Sequence, residues 1–101
     1  MMSVNMMTPQ EMKKKIAEQA RAKRLALNLS QETLSEKSGV SYSVLKKFEQ
    51  TGQISLESLL KLALVLGAID NFNNLFVPDN PEIALSLDEL MKKNTRKRGR
   101  K

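Results

Sequence analysis

QETLSEKSGVSYSVLKKFEQ, residues Gln31 to Gln50, is the stretch that decides the fold. It predicts two short helices, Gln31 to Lys37 capped by Ser30 and Tyr42 to Gln50 capped by Ser41, which meet at a steep angle across a turn of three or four residues. The turn needs a residue that is free to adopt a positive φ, and Gly39 supplies it. A small residue, Ser35, is expected where the two helices approach closely. The inward faces are expected to carry the apolar residues Leu34, Val40, Leu45 and Phe48.

The outward face of the second of these helices is polar. It carries Tyr42, Ser43, Lys46 and Lys47, whose side chains can hydrogen-bond to base edges or to phosphates. Two simpler interpretations stay open at this point. The lysines can be ordinary solvated side chains, and Tyr42 can pack on the protein surface.

The flanking sequence predicts three further helices, five in all, and therefore an all-α domain. Thr8-Pro9 opens the first helix, which extends to about Leu27. Its core face is predicted to carry Ile16, Ala20 and Leu27. Ser55 caps the fourth helix, Leu56 to about Leu66, and Asp70 opens the fifth, Asn71 to about Phe76.

The fourth and fifth helices carry more apolar surface than one small core needs. A helical wheel of the fourth helix predicts a core face made of Leu56, Leu59, Leu60, Ala63 and Leu66. It leaves Leu64 and Val65 off that face. A chain of 101 residues does not easily cover so much apolar surface, so we expect a homodimer. The expected dimer interface contains Leu64, Val65, Phe72, Phe76, Ile83 and Leu85.

The sequence divides into four regions. Residues 1–8 are expected to be a disordered N-terminus, and residues 9–77 the helical domain. Residues 78–93 are a linker and a dimerisation or interaction element, and residues 94–101 a disordered basic tail. Within the third region, Leu87 to Lys93 predicts a short helix, whereas the alternation of residues 82–87 permits a short strand; both alternatives stay open.

The composition argues against several classes of protein. The chain has no Cys and no His, so the usual catalytic bases, nucleophiles and transition-metal ligands are missing. We therefore expect no enzyme activity, no metal and no cofactor. The most apolar stretch is far shorter than a membrane span needs, so we expect a soluble, cytoplasmic protein with no membrane partner.

The charge is concentrated at one end of the chain. The net charge is +6, and residues 92–101 hold seven of the 17 basic residues and no acidic one. The rest of the chain carries ten basic and 11 acidic residues, a net charge of −1. This basic tail is either a solubilising segment or an arm that binds nucleic acid.

Four segments, in order and at the right spacing, resemble the Cro/lambda-repressor-like helix-turn-helix family. They are L-x-L-S-Q (Leu27–Gln31), E-K-S-G-V-S (Glu36–Ser41), L-x-x-F-E (Leu45–Glu49) and the leucine-rich run Leu56–Gly67. The resemblance covers about two-thirds of the chain, from Pro9 to Phe76. There are two departures: Ser35 stands where the family usually has Ala, and one extra residue follows Glu49. The resemblance implies a phage-repressor-like domain that binds a palindromic double-stranded DNA operator.

The resemblance also assigns roles to individual residues. The third helix would be the recognition helix, with Tyr42, Ser43, Lys46 and Lys47 as base-contact candidates. Phosphate contacts would come from Gln31, Ser41, Thr51 and Gln53. Arg24 and Glu49 match a pair that, in the family, joins the first helix to the end of the recognition helix. We interpret that pair as a structural, bidentate ion pair that reads no bases.

The C-terminal region resembles a second, narrower group. A short S-L-D-E-L helix followed by R-K-R-G-R-K is similar to the HipB-like antitoxins, which pair with a HipA-like kinase toxin and repress their own operon. The R-G-R core also resembles the arms that enter the minor groove. This similarity adds Arg96, Arg98 and Arg100 to the DNA-binding candidates.

Three alternatives to an antitoxin and autorepressor stay open. The chain can be a stand-alone repressor of the phage or restriction-modification type, with no toxin partner. It can be an interaction module that has lost DNA binding, although Lys46 and Lys47 argue against that. It can also be a basic RNA-binding protein, although no aromatic platform accompanies the tail.

Overall fold

Helices and turns make up the described part of the chain, which is residues 7–78, 82 and 85–92 of a computed structural model. The α-helices are α1 (Pro9–Ala26), α2 (Gln31–Ser38), α3 (Tyr42–Thr51) and α4 (Leu56–Val65), followed by a 3₁₀ helix, Ile69–Asn74. Residues 82 and 85–92 are also helical, and no strand occurs among the described residues. The predicted all-α fold class is confirmed. The chain separates into two units, residues up to Asp70 and residues from Asn71 onward.

A capping residue with a side-chain hydroxyl precedes each of the helices α1 to α4. Thr8, Ser30, Ser41 and Ser55 each accept a hydrogen bond from the backbone N–H three residues later. The Glu11 carboxylate in turn accepts from the Thr8 backbone N–H at 2.8 Å, which completes a capping box. Hydrogen bonds from the Thr8 backbone and side chain lower the pKa of Glu11. All four caps are residues that the sequence analysis had placed at helix starts.

The core of the first unit lies where α2 packs against α3 and α4, while α1 packs against α3. Leu34, Val40, Leu45 and Phe48 are buried, which confirms the four inward positions predicted around the turn. Ala17 from α1, Leu62 from α4 and Leu66, the C-terminal cap of α4, complete this buried cluster.

The predicted core face of α1 is wrong at one residue. Leu27 is 48% exposed, because α1 ends at Ala26 and Leu27 already belongs to the turn. The chain reverses through Asn28, whose φ is 58°, and directs Leu29 towards the core instead. Ile16 and Ala20 are half-buried and pack against the core, as predicted.

The predicted core face of α4 is rotated relative to the real one. Leu62, which the wheel left out, is buried together with Ala63 and Leu66, and Val65 packs against the core. The wheel was therefore wrong to put Val65 off the core face. It was also wrong at Leu56, which is 65% exposed. A wheel fixes which residues share a face, but the packing partner α2 decides which face is buried.

The predicted fifth helix is a 3₁₀ helix that begins and ends two residues earlier than expected. Its sequence, IDNFNN, is rich in Asp and Asn, whose side chains compete for backbone hydrogen bonds and disfavour α-helix interiors. Phe76 lies beyond its end, has a φ of 65° and is 96% exposed.

Residues 82 and 85–87 are helical, so a strand over residues 82–87 is wrong for the residues that the structure describes. The expected helix is present, but it begins at or before residue 85 rather than at Leu87. Leu85, Leu87, Leu90 and Met91 are exposed in the second unit. Ile83, residues 1–6 and residues 93–101 lie outside the described residues, as do the expectations that rest on them. No helix in the described part of the chain is long and apolar enough to cross a membrane.

Candidate nucleic-acid interface

The exposed face of α3 carries a row of polar side chains. Tyr42, Ser43, Lys46 and Lys47 are all exposed, as the sequence analysis predicted. The Lys46 Nζ lies 6.0 Å from the centre of the Tyr42 ring, at the limit of a cation–π contact. Both long side chains therefore stand together at the N-terminal half of α3, available to a ligand.

The opposite face of α3 anchors the helix in the core. Leu45 and Phe48 are each only 1% exposed, and both belong to the central cluster. Ser41 caps the helix, because its Oγ accepts the Val44 N–H at 3.3 Å. An anchored and capped helix presents its outer side chains from a fixed backbone, which is what base recognition requires.

An ion pair and an amide hold the C-terminal end of α3. The Arg24 Nε donates to Glu49 Oε2 at 2.7 Å, and Nη2 donates to Oε1 at 3.0 Å, so the pair is bidentate as expected. Nη1 donates to the Leu29 carbonyl at 2.8 Å. The Gln31 Nε2 also donates to Glu49 Oε1, at 2.9 Å. Glu49 therefore connects α1, the start of α2 and the end of α3.

Gln31 thus has a contact that the sequence analysis missed. Because the Glu49 carboxylate can only accept hydrogen bonds, the Gln31 amide must turn its nitrogen towards Glu49. Its carbonyl and its second N–H remain for other partners. The available signal was the spacing of Gln31 and Glu49 at the two ends of the motif, but sequence spacing alone does not show which side chains meet.

The turn between α2 and α3 is held by two serines. The Ser35 hydroxyl donates to the Val40 carbonyl at 2.6 Å, and the Val40 N–H donates to Ser38 Oγ at 3.1 Å. Both polar groups of the buried Val40 backbone are therefore satisfied inside the turn. Ser35, which the sequence analysis treated only as a small residue, is also a hydrogen-bond donor.

The loop after α3 is folded back on the helix. The Thr51 hydroxyl donates to the Lys47 carbonyl at 2.8 Å and accepts from the Gln53 N–H at 3.1 Å. The hydrogen of the Thr51 hydroxyl is therefore engaged in a hydrogen bond within the protein. Gly52 follows in the left-handed region, with φ 82°. The Thr51 and Gln53 side chains are exposed, at the end of α3 opposite to Ser41.

Residues 7–78, 82 and 85–92 contain no group of three or more His, Cys, Asp or Glu side chains that could hold a metal ion. The remaining DNA-binding candidates, Arg96, Arg98 and Arg100, lie outside the described residues. Among the described residues, the candidate interface is therefore α3, its cap, the loop that follows it and Gln31 at the start of α2.

The comparisons with known proteins agree with this geometry. A family model described as helix-turn-helix matches residues 21–70, which include all of α2, α3 and α4. No curated protein and no solved structure matches the chain. The chain belongs to the Cro/lambda-repressor-like helix-turn-helix family and is a DNA-binding transcription regulator.

Proposed function

We propose that this chain is a sequence-specific transcriptional repressor that reads its operator with the exposed face of α3. The observation that carries the proposal is the division of α3 into two faces. Leu45 and Phe48 are buried in the core, while Tyr42, Ser43, Lys46 and Lys47 point outward. In the major groove, the outward side chains would meet base edges and the flanking phosphates.

Four residues around α3 are proposed to contact phosphates: Gln31, Ser41, Thr51 and Gln53. Support is strongest for Gln31, because its bond to Glu49 fixes the amide in place before DNA arrives. The Thr51 hydroxyl already donates a hydrogen bond to the Lys47 carbonyl, so donation from Thr51 to a phosphate would require that bond to break. The exposed Gln53 side chain carries no such constraint.

The repressor is proposed to act as a two-fold homodimer on a palindromic operator. Two recognition helices about 34 Å apart would then enter successive major grooves on one side of B-DNA. The supporting observation is exposed apolar surface at residues of the expected interface: Leu64 is 66% exposed and Phe76 is 96% exposed. Val65 contributes less, because it packs partly against its own core.

The preferred biological setting is a toxin–antitoxin operon in the cytoplasm, where the chain would be both antitoxin and autorepressor. This proposal rests on the similarity of the C-terminal sequence to HipB-like antitoxins. It requires that an adjoining gene encode a HipA-like kinase whose toxicity is neutralised by co-expression of this chain. Without such a neighbour, the chain is a stand-alone repressor.

The test of base reading is selection of bound duplexes from a random DNA library by the purified chain. We expect an enriched palindrome, and we expect Lys46→Ala/Lys47→Ala to weaken its binding by about 1–3 kcal/mol for each base that the variant no longer reads. The melting temperature should stay unchanged, because both lysines are exposed.

A charge-matched control separates base reading from simple attraction to DNA. Lys14→Ala/Lys15→Ala removes the same charge from the exposed face of α1. We expect this control to leave the preferred sequence unchanged, whereas the α3 variant should lose the preference. If the α3 variant keeps both wild-type affinity and preference, α3 is not the reading helix.

A further inference from the structure

One outer face of α4 is apolar and uncovered in the first unit. Leu56, Leu60 and Leu64 recur every four residues and therefore form one stripe along the helix. Together with Ile69 they line an open, almost wholly apolar groove. Leu56 and Leu64, at its two ends, are each about two-thirds exposed. A stripe of this kind is costly to leave in water and marks an interaction surface.

The rim of this groove carries one charge of each sign. Glu57 and Lys61 line the groove beside the leucines, and Lys61 Nζ lies 3.5 Å from Glu57 Oε2. The Glu57 side chain is 80% exposed and the Lys61 side chain 48%, so the pair contributes little to the stability of one chain. A second copy of the same face, related by a two-fold axis, would however match it, because the apolar centres would meet and each charge would face one of opposite sign.

We propose that the α4 groove is the contact between two copies of this chain, with α4 antiparallel to α4 of the second copy and a two-fold axis at Leu60. The inference rests on the dimeric repressor proposed above and assigns its central contact. Under this symmetry Leu60 meets the partner's Leu60, and Leu56 meets the partner's Leu64. The apolar stripe is therefore covered from end to end.

The same axis brings opposite charges together. Glu57 lies three residues before Leu60 and Lys61 one residue after it. In the antiparallel pair, Glu57 and the partner's Lys61 are then offset by two residues, or about 3 Å along the axis. Glutamate and lysine side chains are long enough to span this offset. The dimer therefore contains two symmetry-related ion pairs between the copies. Charge complementarity thus selects a second copy of this face as the occupant.

Complementary charge variants test this contact. Glu57→Lys and Lys61→Glu should each dimerise roughly tenfold more weakly than wild type at low salt, because each places like charges across the interface. An equimolar mixture should recover wild-type dimerisation as a heterodimer, because unlike charges then face each other again. Sedimentation equilibrium and native mass spectrometry of the full chain measure the affinity and composition. Dimers of both single variants at wild-type affinity, or no recovery on mixing, would overturn the proposal.

The apolar part has its own matched pair of variants. Leu64→Ser should raise the dimer Kd about tenfold or more, because it removes a leucine from the apolar stripe. Leu25→Ser, at an exposed leucine of α1, should leave it unchanged. Both residues are at least half exposed, so the melting profile of the chain at concentrations where it is monomeric should stay near wild type.

The outcomes separate this inference from the proposed function. A chain whose Leu64→Ser variant still dimerises like wild type overturns the α4 contact but leaves a dimeric repressor intact. A wild-type chain that is strictly monomeric on its full operator overturns both the contact and the dimer. Base reading by α3 is unaffected by either result, because selection of preferred sequences tests it separately.

Discussion

Arg24 carries a full charge at a position where only 6% of its surface is exposed. It remains there because three of its nitrogens have acceptors, two on Glu49 and one on the Leu29 carbonyl. In a buried pair of this kind, desolvation offsets much of the attraction, so the pair positions the helices more than it stabilises them. Removal of one partner is strongly destabilising, because it leaves the other charge buried without a counter-charge.

We expect Glu49→Ala to destabilise the chain by about 3–5 kcal/mol, because Arg24 is left without its carboxylate and the Gln31 amide without its acceptor. Urea unfolding followed by circular dichroism measures this change. Glu36→Ala, at an exposed carboxylate of α2, is the control and should stay within about 0.5 kcal/mol of wild type. Equal stability of the two variants would mean that the pair is not effectively buried.

At the residue scale, sequence patterns anticipated the roles that backbone geometry dictates and missed those that depend on three-dimensional contact. Gly39 and the capping hydroxyls follow from local rules, and all were predicted. The bond from Gln31 to Glu49 joins residues 18 positions apart, and the bond from Ser35 to the Val40 carbonyl depends on how the turn closes. Neither leaves a periodic trace in the sequence.

At the element scale, the helices α1 and α3 meet at Gly52. A Cβ built on Gly52 would lie 2.8 Å from the backbone carbon and oxygen of Lys13, so the residue has no room for a side chain. Gly39 has nearly the same positive φ, 80° against 82°, but a Cβ there would meet nothing within 4 Å. The two glycines therefore separate the cost of backbone strain from the cost of a steric clash.

We expect Gly39→Ala to cost about 1–2 kcal/mol, which is the strain of alanine in the left-handed region. Gly52→Ala should cost more by at least a further 1 kcal/mol or so, because α1 must also move away from the Lys13 contact. Thermal unfolding of the two variants side by side measures the difference. If both variants lose the same stability, α1 can move away from residue 52 at no measurable cost, and its packing on α3 is loose.

The sequence pattern of α4 does not decide which face of the helix is buried. Five leucines and a valine in one ten-residue helix allow several apolar faces, and the wheel selected a face that leaves Leu62 out. Contact with α2 buries Leu62, Ala63 and Leu66 instead. Leu56, which the wheel assigned to the core, is exposed instead.

At the scale of the whole molecule, most of the net positive charge and the proposed recognition helix belong to different parts of the sequence. The exposed face of α3 carries two basic residues, Lys46 and Lys47, whereas residues 92–101 contain seven of the chain's 17 basic residues. Phosphate neutralisation steepens the salt dependence of binding by roughly 0.9 in the log–log slope per phosphate. The tail is therefore proposed to supply affinity without selectivity, and α3 to supply selectivity.

Deletion of residues 94–101 removes five basic residues. We expect weaker binding to every duplex, a salt slope that is shallower by up to several units, and no change in the preferred operator. A full-length variant with those five residues changed to Gln should behave like the truncation, since it removes the charge and keeps the length. Affinities measured across a salt series decide the matter, and equal slopes for all three proteins would exclude a role for the tail in DNA binding.

Tyr42 has a consequence for how this protein can be observed. The chain contains one Tyr and no Trp, and that Tyr lies exposed on the outer face of α3 with the Lys46 ammonium 6.0 Å from its ring centre. Its ultraviolet emission therefore originates from a single phenol on the surface that is proposed to meet DNA. Quenching of that emission reports occupancy of α3 itself, with no label and no background from the core, and an acrylamide titration with and without duplex shows whether the ring is covered.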